Sequence, residues 1–383
     1  MRVCYILSTT SVAGGANRSI IDLMGFLQAN DVECYAVLNG HGSMEIELNK
    51  MAVPNKVIRY YNSTKQKNGF KGLIKSAINS IAVFRIRRFL RKIKVDIVHN
   101  NSIPTLVGIS AARLMRIPYI CHVRENIWDG LGLYFKNDRY AKTLINHSNK
   151  VIYISNFLRE SYGSFLSNHN AEVIYNGFYV EDYLESHELF ESDVIRLLMV
   201  GVVNPQKGQM DAIKAVRMLS DKGRNVHLTI LGDIVMWKGS FSYWNTIKQY
   251  IRDNSLMEKI SFINPISDKG ALKRIRRNTD ITIVASRSEG LGRTTIEGML
   301  AGTLVIGANA GATPEIIMDG YNGYLYNVND PKNLSDIISN AIDNKDIAIK
   351  IAERGQKDAM QRFNRTRYGI ELLEIYKELV TNE

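Results

Sequence analysis

Residues 280–302 constrain this fold more than any other stretch. Asp280-Ile281-Thr282-Ile283-Val284-Ala285 is a short, nearly continuous apolar run of the kind that fills a strand buried on both faces. Ser288-Glu289-Gly290-Leu291-Gly292-Arg293 follows, and beyond it Ile296, Met299 and Leu300 recur at helical spacing. A strand buried on both faces needs strands at its edges and helices above and below, which commits the chain to a parallel α/β sheet. The strand, glycine turn and helix N-terminus also form an anion site, because the first amides of a helix are unpaired and the dipole there is positive. Glu289 lies on the turn, and Glu297 lies about five residues into the helix, roughly 7 Å further along its axis. Carboxylates so placed would repel a phosphate but accept hydrogen bonds from hydroxyls on either side of it. By spacing alone the two glutamates also read as solvated helix-end charges.

The rest of the chain repeats the alternation. Strands are expected at 2–7, 33–38, 57–60, 96–99, 119–122, 150–154 and 172–175, with helices between them. The polar, acidic stretch 181–194 has no strand pattern and reads as a linker. Strands resume at 195–200, 227–231 and 259–263, and a final helix covers 362–379. The insert Trp237-Lys238-Gly239-Ser240-Phe241-Ser242-Tyr243-Trp244 reads either as a flap or as the start of a surface helix.

A length of 383 residues suggests two or three domains. No apolar run approaches the 18 residues of a membrane-spanning helix, and the N-terminus reads as a first strand rather than a secretory signal. Cys4, Cys34 and Cys121 have neither metal-type nor disulfide-framework spacing and fit buried thiols in a reducing cytoplasm. The net charge of +11 is local, since residues 65–94 hold ten Lys and Arg and no acid.

Glu289 and Glu297 in their glycine frame, then Gly311-Ala312-Thr313-Pro314-Glu315 and Asp319-Gly320-Tyr321-Asn322-Gly323-Tyr324-Leu325, resemble the retaining GT-B glycosyltransferases of group 1. Other stretches carry the same resemblance. Gly14-Gly15-Ala16-Asn17-Arg18 takes the place of a Rossmann phosphate loop without G-x-G-x-x-G, and Asp96-Ile97-Val98-His99 and His122-Val123-Arg124-Glu125 end strands. Ser155 and Asn176-Gly177 match the landmarks that close the family's first domain, and Gly201-Val202-Val203-Asn204-Pro205-Gln206-Lys207-Gly208 matches the donor loop.

The resemblance implies an α/β GT-B fold: two Rossmann-like doubly wound domains facing a central cleft, with a C-terminal helix crossing back to the first. The implied boundaries are an N-terminal acceptor domain at 1–180, a linker at 181–194, a C-terminal donor domain at 195–361 and the crossing helix at 362–383. It implies transfer, with retention, of a hexose-type sugar from a UDP- or GDP-linked donor to a saccharide. Glu289 would bind sugar hydroxyls, Glu297 the ribose, Lys207 the diphosphate, and His122 would orient the sugar. Gly290, Leu291, Gly292, Thr294, Gly14, Gly15, Gly201 and Gly232 would line the donor site, while Arg124, Glu125 and Arg18 would face the acceptor. His122 and His99 also admit a purely structural reading. The family's donor-loop arginine is here Val202, and Arg293 is the candidate to replace its charge. With no D-x-D and no metal-type cluster, neither a metal nor another cofactor is expected. A non-catalytic nucleotide-sugar sensor, an epimerase or a phosphorylase on the same frame remain alternatives.

The basic segment 64–94 carries a helical apolar stripe of Phe70, Leu73, Ile74, Ala77, Ile78, Ile81, Phe84, Phe89, Leu90 and Ile93 beside its cations. That is a pattern of peripheral binding to an anionic membrane, and equally of a packed helix with a solvated cationic face. Its phenylalanines lie on the stripe rather than interleaving with the cations, which argues against nucleic acid. A membrane-facing segment suits a lipid-linked saccharide acceptor, surface-polysaccharide assembly such as capsule, O-antigen or exopolysaccharide, and a place on the inner face of the cytoplasmic membrane.

Overall fold

The computed structural model describes residues 1–12, 15–66, 73–129, 132–167, 169–184, 188–234, 238–266 and 268–381. The chain forms two compact units, residues 1–178 with 363–383, and residues 179–362.

The first unit holds β1 (Arg2–Leu7), β2 (Glu33–Leu38), β3 (Asn55–Val57), β4 (Thr64–Gln66), β5 (Ile97–Asn101), β6 (Tyr119–Val123), β7 (Leu133–Phe135), β8 (Lys150–Tyr153) and β9 (Ala171–Val173). Seven of these form a parallel sheet in the order β3-β2-β1-β5-β6-β8-β9. The second holds β10 (Ile195–Val200), β11 (Val226–Leu231), β12 (Ile260–Ile263), β13 (Ile281–Val284), β14 (Leu304–Ala308) and β15 (Tyr324–Tyr326), parallel in the order β12-β11-β10-β13-β14-β15. Both are doubly wound α/β sheets. Strand order reverses between β1 and β5 in one and between β10 and β13 in the other, and at such a reversal two loops part at the carboxyl ends of the strands.

Each sheet is buried for the reason the apolar runs gave. Ile281, Ile283 and Leu304 join Leu197, Ile213 and Ile230 in the second core, and Val3, Tyr5, Leu7, Ile20 and Ile97 fill the first. The last helix, Arg365–Thr381, belongs to the first unit, where Tyr368, Leu372 and Tyr376 are core residues. Phe178 donates its amide to the Phe363 carbonyl at 2.8 Å and accepts from the Arg365 amide at 3.0 Å, so the outgoing and returning segments pair side by side. Gly177 is required there, because a Cβ would sit 2.8 Å from Arg365 Cα.

Several elements differ from the sequence-based expectation. β3 ends at Val57, and Tyr60 leaves the ladder to donate its hydroxyl to the Val37 carbonyl at 3.2 Å. β4 and β7 pair antiparallel outside the main sheet, a long-range pairing with no local signal. Residues 188–194 group with the second unit, where Phe190 is buried and donates its amide to Asp280 Oδ1 at 2.8 Å. The described part of segment 64–94 contains one helix, Leu73–Ile93; Phe70 lies outside the described residues. The helix buries Ala82, Ile86 and Leu90, while Ile74, Ile81 and Phe84 stay 78%, 55% and 66% exposed. The apolar stripe is thus two faces, one packed and one open. No described helix is long and apolar enough to cross a membrane.

Candidate active site

The strand-order reversal of the second unit brings the loop after β10 beside the loop after β13. In the first loop the Asn204 side chain caps a single turn, Pro205–Lys207, accepting from the Lys207 amide at 3.0 Å. Gly208 follows at φ +68°, and a Cβ there would meet the Ala285 carbonyl at 2.2 Å. The turn is therefore pressed against the end of β13. The Arg287 amide, donating to the Gln206 carbonyl at 2.9 Å, ties the two loops together.

Glu289 is fixed from its other side. The Ala312 amide donates to its carbonyl at 3.0 Å, and Gly311 approaches so closely that a Cβ would sit 2.6 Å from the Glu289 nitrogen. Held in this way, Lys207 Nζ and Glu289 Oε1 form an ion pair, half-buried on both sides. Two groups 82 residues apart, expected at one site, are in contact. Gly292 precedes the helix Arg293–Leu300 at φ +81°, with Leu291 buried and Gly290 and Thr294 half-buried.

Glu297 lies on that helix, 8% exposed. Its Oε2 accepts from Arg276 Nη2 at 2.6 Å; its Oε1 accepts from Arg293 Nη2 at 3.3 Å and from the Tyr183 hydroxyl at 3.2 Å. Arg293 thus reaches Glu297, one turn along, rather than Glu289. Val202, where the family's arginine would stand, is 37% exposed. Gly201 and Gly232 meet each other: a Cβ on Gly232 would lie 1.9 Å from the Gly201 carbonyl oxygen, so backbone contact between strand ends accounts for that glycine.

In the first unit, Gly15 opens the helix Gly15–Gln28 after β1, and Gly14 lies outside the described residues. Buried Asn17 donates to the Ser11 carbonyl at 2.5 Å and also to Thr9 Oγ1, closing the loop, whereas Arg18 is exposed. On the neighbouring strands β5 and β6, His99 Nε2 and His122 Nδ1 are 3.0 Å apart, and His99 Nδ1 lies 2.6 Å from the Tyr376 hydroxyl. Burial, with the Arg124 charge second, holds both imidazoles well below their usual pKa, so both are neutral at pH 7.

Arg124 corrects an expectation. Rather than facing an acceptor, it is buried, donating to Asn101 Oδ1 at 2.5 Å, Asn176 Oδ1 at 2.7 Å, the Tyr368 hydroxyl at 2.9 Å and His122 Nδ1 at 3.2 Å. A guanidinium with a planar fork of donors can pin four groups at once. Glu125 is half-buried and accepts from Ser102 Oγ; burial raises its pKa from 4.5 to about 7 against the pull of that bond and of Arg124.

The Glu125 shift has a stability consequence. A carboxyl whose folded pKa exceeds its unfolded one holds its proton more tightly when folded. Its contribution is therefore complete below about pH 4.5 and is lost as pH rises to about 7. Glu125→Gln, which mimics the protonated form, is expected to gain stability over the native chain progressively across that window in thermal melts. A difference that does not change with pH would contradict the assignment.

Sequence reasoning missed Arg276 and Tyr183 around Glu297, and the hydroxyls of Tyr368 and Tyr376. None sits in a local motif; each arrives from a remote element. Among the described residues no three His, Cys, Asp or Glu side chains cluster to hold a metal.

Comparisons with known proteins agree with this architecture. The model of "Glycosyl transferases group 1" matches residues 182–358, and that of "Glycosyltransferase Family 4" matches residues 13–182. An uncharacterized glycosyltransferase of Methanocaldococcus jannaschii, MJ1178, is 27% identical over 287 residues, 74% of this chain and 76% of that protein. Two Bacillus subtilis relatives are matched over 48% and 47% of their length. The crystal structure of Anabaena HepE in complex with UDP superposes with a TM-score of 0.82 at 22% identity, covering 99% of this chain and 100% of that one. The lipopolysaccharide outer core galactosyltransferase WaaB superposes at 0.75 with 16% identity, over 99% and 100% of the two chains. These likenesses establish a GT-B fold. With glycosyltransferase models matching both of its halves in turn, the chain belongs to the group 1 glycosyltransferases.

Proposed function

We propose that the chain transfers a hexose-type sugar, with retention of configuration, from a nucleoside-diphosphate sugar to a saccharide acceptor. The observation that carries this reading is the Lys207–Glu289 pair at the strand-order reversal of the second sheet. In the resting protein each charge satisfies the other. A donor separates them: the ammonium turns to the diphosphate and the carboxylate accepts from sugar hydroxyls. Arg293, in the first turn of the following helix, adds a second cation in place of the one missing at Val202. Glu297 remains neutralised by Arg276 at 2.6 Å when Arg293 turns away, and is left to accept from the ribose.

The acceptor oxygen attacks the anomeric carbon on the face the phosphate leaves. The C–O bond to the acceptor forms as the C–O bond to the phosphate breaks, and the acceptor proton passes to the departing phosphate oxygen. Lys207 and Arg293 stabilise the charge that develops on that leaving group, and His122 is read as orienting the sugar. No metal enters this scheme. UDP is the nucleotide favoured by the likeness to HepE, solved with UDP and with UDP-glucose. A panel of UDP- and GDP-sugars assayed for nucleotide release, with and without saccharide acceptors, tests the proposal. Donor consumed without acceptor would point to an epimerase, a need for phosphate to a phosphorylase, and binding without release to a sensor.

The open face of the helix Leu73–Ile93 supports a peripheral position on an anionic membrane and a lipid-linked acceptor, as in surface-polysaccharide assembly. Ile74, Ile81 and Phe84 are exposed on the same helix as the exposed cations Arg85, Arg88, Arg91 and Lys92. Each cation near such a surface contributes about 1 kcal/mol. Replacing these four by Gln is expected to lower flotation with phosphatidylserine vesicles more than about tenfold. Unchanged flotation would reject the membrane reading and leave the donor chemistry untouched.

A further inference from the structure

We infer that Arg124 is a positioning residue that sets both His122 and Asn101 as hydrogen-bond donors, with the His122 proton on Nε2. The inference rests on the reading of His122 as a contact to the transferred sugar, and extends it to Asn101, its register partner on the neighbouring strand β5.

An arginine side chain only donates. His122 Nδ1, 3.2 Å from Arg124 Nη2, must therefore accept, and a neutral imidazole then carries its proton on Nε2. By the same logic Asn101 must turn its oxygen to Arg124 Nε at 2.5 Å, which directs its amide nitrogen away. His99 completes the pattern. Its Nε2 donates to His122 Nδ1 at 3.0 Å, so its Nδ1 accepts from the Tyr376 hydroxyl at 2.6 Å, and that oxygen can accept from the Tyr5 hydroxyl at 3.1 Å. Every hydrogen of this network runs toward His122, whose single Nδ1 lone pair is shared between His99 Nε2–H and the guanidinium.

The two groups the chain ends on are the ones left over. His122 Nε2 and Asn101 Nδ2 are both buried and have no hydrogen-bond partner among the described residues. A buried donor without an acceptor costs about 1–3 kcal/mol, and two at the carboxyl ends of adjacent strands make a site prepared for oxygen acceptors. Sugar hydroxyl oxygens have that chemistry. A His122 so held is a donor and not a general base, in keeping with a mechanism in which the leaving phosphate takes the acceptor proton. The depressed basicity of both imidazoles agrees with it.

The test is nitrogen-15 NMR of the full chain labelled at histidine, with resonances assigned through single His→Gln variants. His122 is expected to show a protonated Nε2 and a bare Nδ1 at pH 7. Arg124→Lys, which keeps the charge but loses the fork, is expected to admit the Nδ1-protonated tautomer and lower kcat about tenfold, the worth of one ordinary hydrogen bond. A His122 proton on Nδ1, or a charged imidazolium, in the native chain overturns the inference whether or not sugar is transferred. Conversely, absence of nucleotide release from every donor would defeat the proposed activity without altering the NMR result.

Discussion

Lys207→Ala is expected to lower kcat by about 10²–10³, the loss typical of removing one preorganised group that meets developing charge. The effect is large because the lysine is placed before the donor arrives. Asn204 caps its turn, Gly208 presses that turn onto the end of β13, and Glu289 holds the ammonium. Charge on the leaving diphosphate grows toward the transition state, so the loss falls more on kcat than on the donor KM. Arg293→Ala is expected to act in the same direction and less strongly, because that cation also serves Glu297 at 3.3 Å. Steady-state kinetics on both variants check the ranking; a Lys207→Ala enzyme with native kcat would remove the lysine from the chemistry. Thermal melting of the variant should fall only slightly, since the Glu289 carboxylate left without its partner is itself partly open to water.

Asp280→Ala is expected to destabilise the second unit by about 3–5 kcal/mol, read as a lower urea midpoint at unchanged slope. Asp280 is fully buried at the start of β13, and its two oxygens serve several donors. Oδ1 accepts from the Phe190 amide at 2.8 Å and Arg196 Nη2 at 2.8 Å; Oδ2 accepts from the Arg196 amide at 2.7 Å and Nε at 3.1 Å. Removing it leaves two backbone amides unpaired, at about 1–3 kcal/mol each. The partly exposed guanidinium can turn to water and soften the loss. Asp280→Asn, which keeps one acceptor oxygen, should fall between the two. Phe190 and β10 are both held through this carboxylate, so a stability within about 1 kcal/mol of native would contradict its assigned role.

What the sequence made legible is what local physics dictates. Continuous apolar runs gave the buried strands, and glycines gave the turns where backbone meets backbone, as at Gly208 and Gly311. Lys207 and Glu289 were readable because each stands just past the end of a strand, and the strand-order reversal brings their two loops together. The partners of Glu297 were not readable: Tyr183 is 114 residues away, and Arg276 hides within the basic helix Lys269–Arg277. Arg124 read as an acceptor contact because it stands at the carboxyl end of a strand, where ligands of open α/β sheets bind. Only the fold brings Asn176 and Tyr368 to bury it, from 52 and 244 residues away. The helix Leu73–Ile93 shows a different limit, since apolar periodicity does not say which of two apolar faces the core will cover.

Sugar transfer from a nucleoside-diphosphate donor is here assigned, as a proposal, to the Lys207–Glu289 site. The most direct test incubates the purified chain with UDP- and GDP-sugars and a lipid-linked saccharide acceptor, following nucleotide release and the acceptor's mass together. The expected result is acceptor-dependent release of the nucleoside diphosphate, one hexose added per nucleotide released, and loss of both signals in Lys207→Ala. Donor binding with no release under any acceptor, or release that survives in Lys207→Ala undiminished, would contradict it.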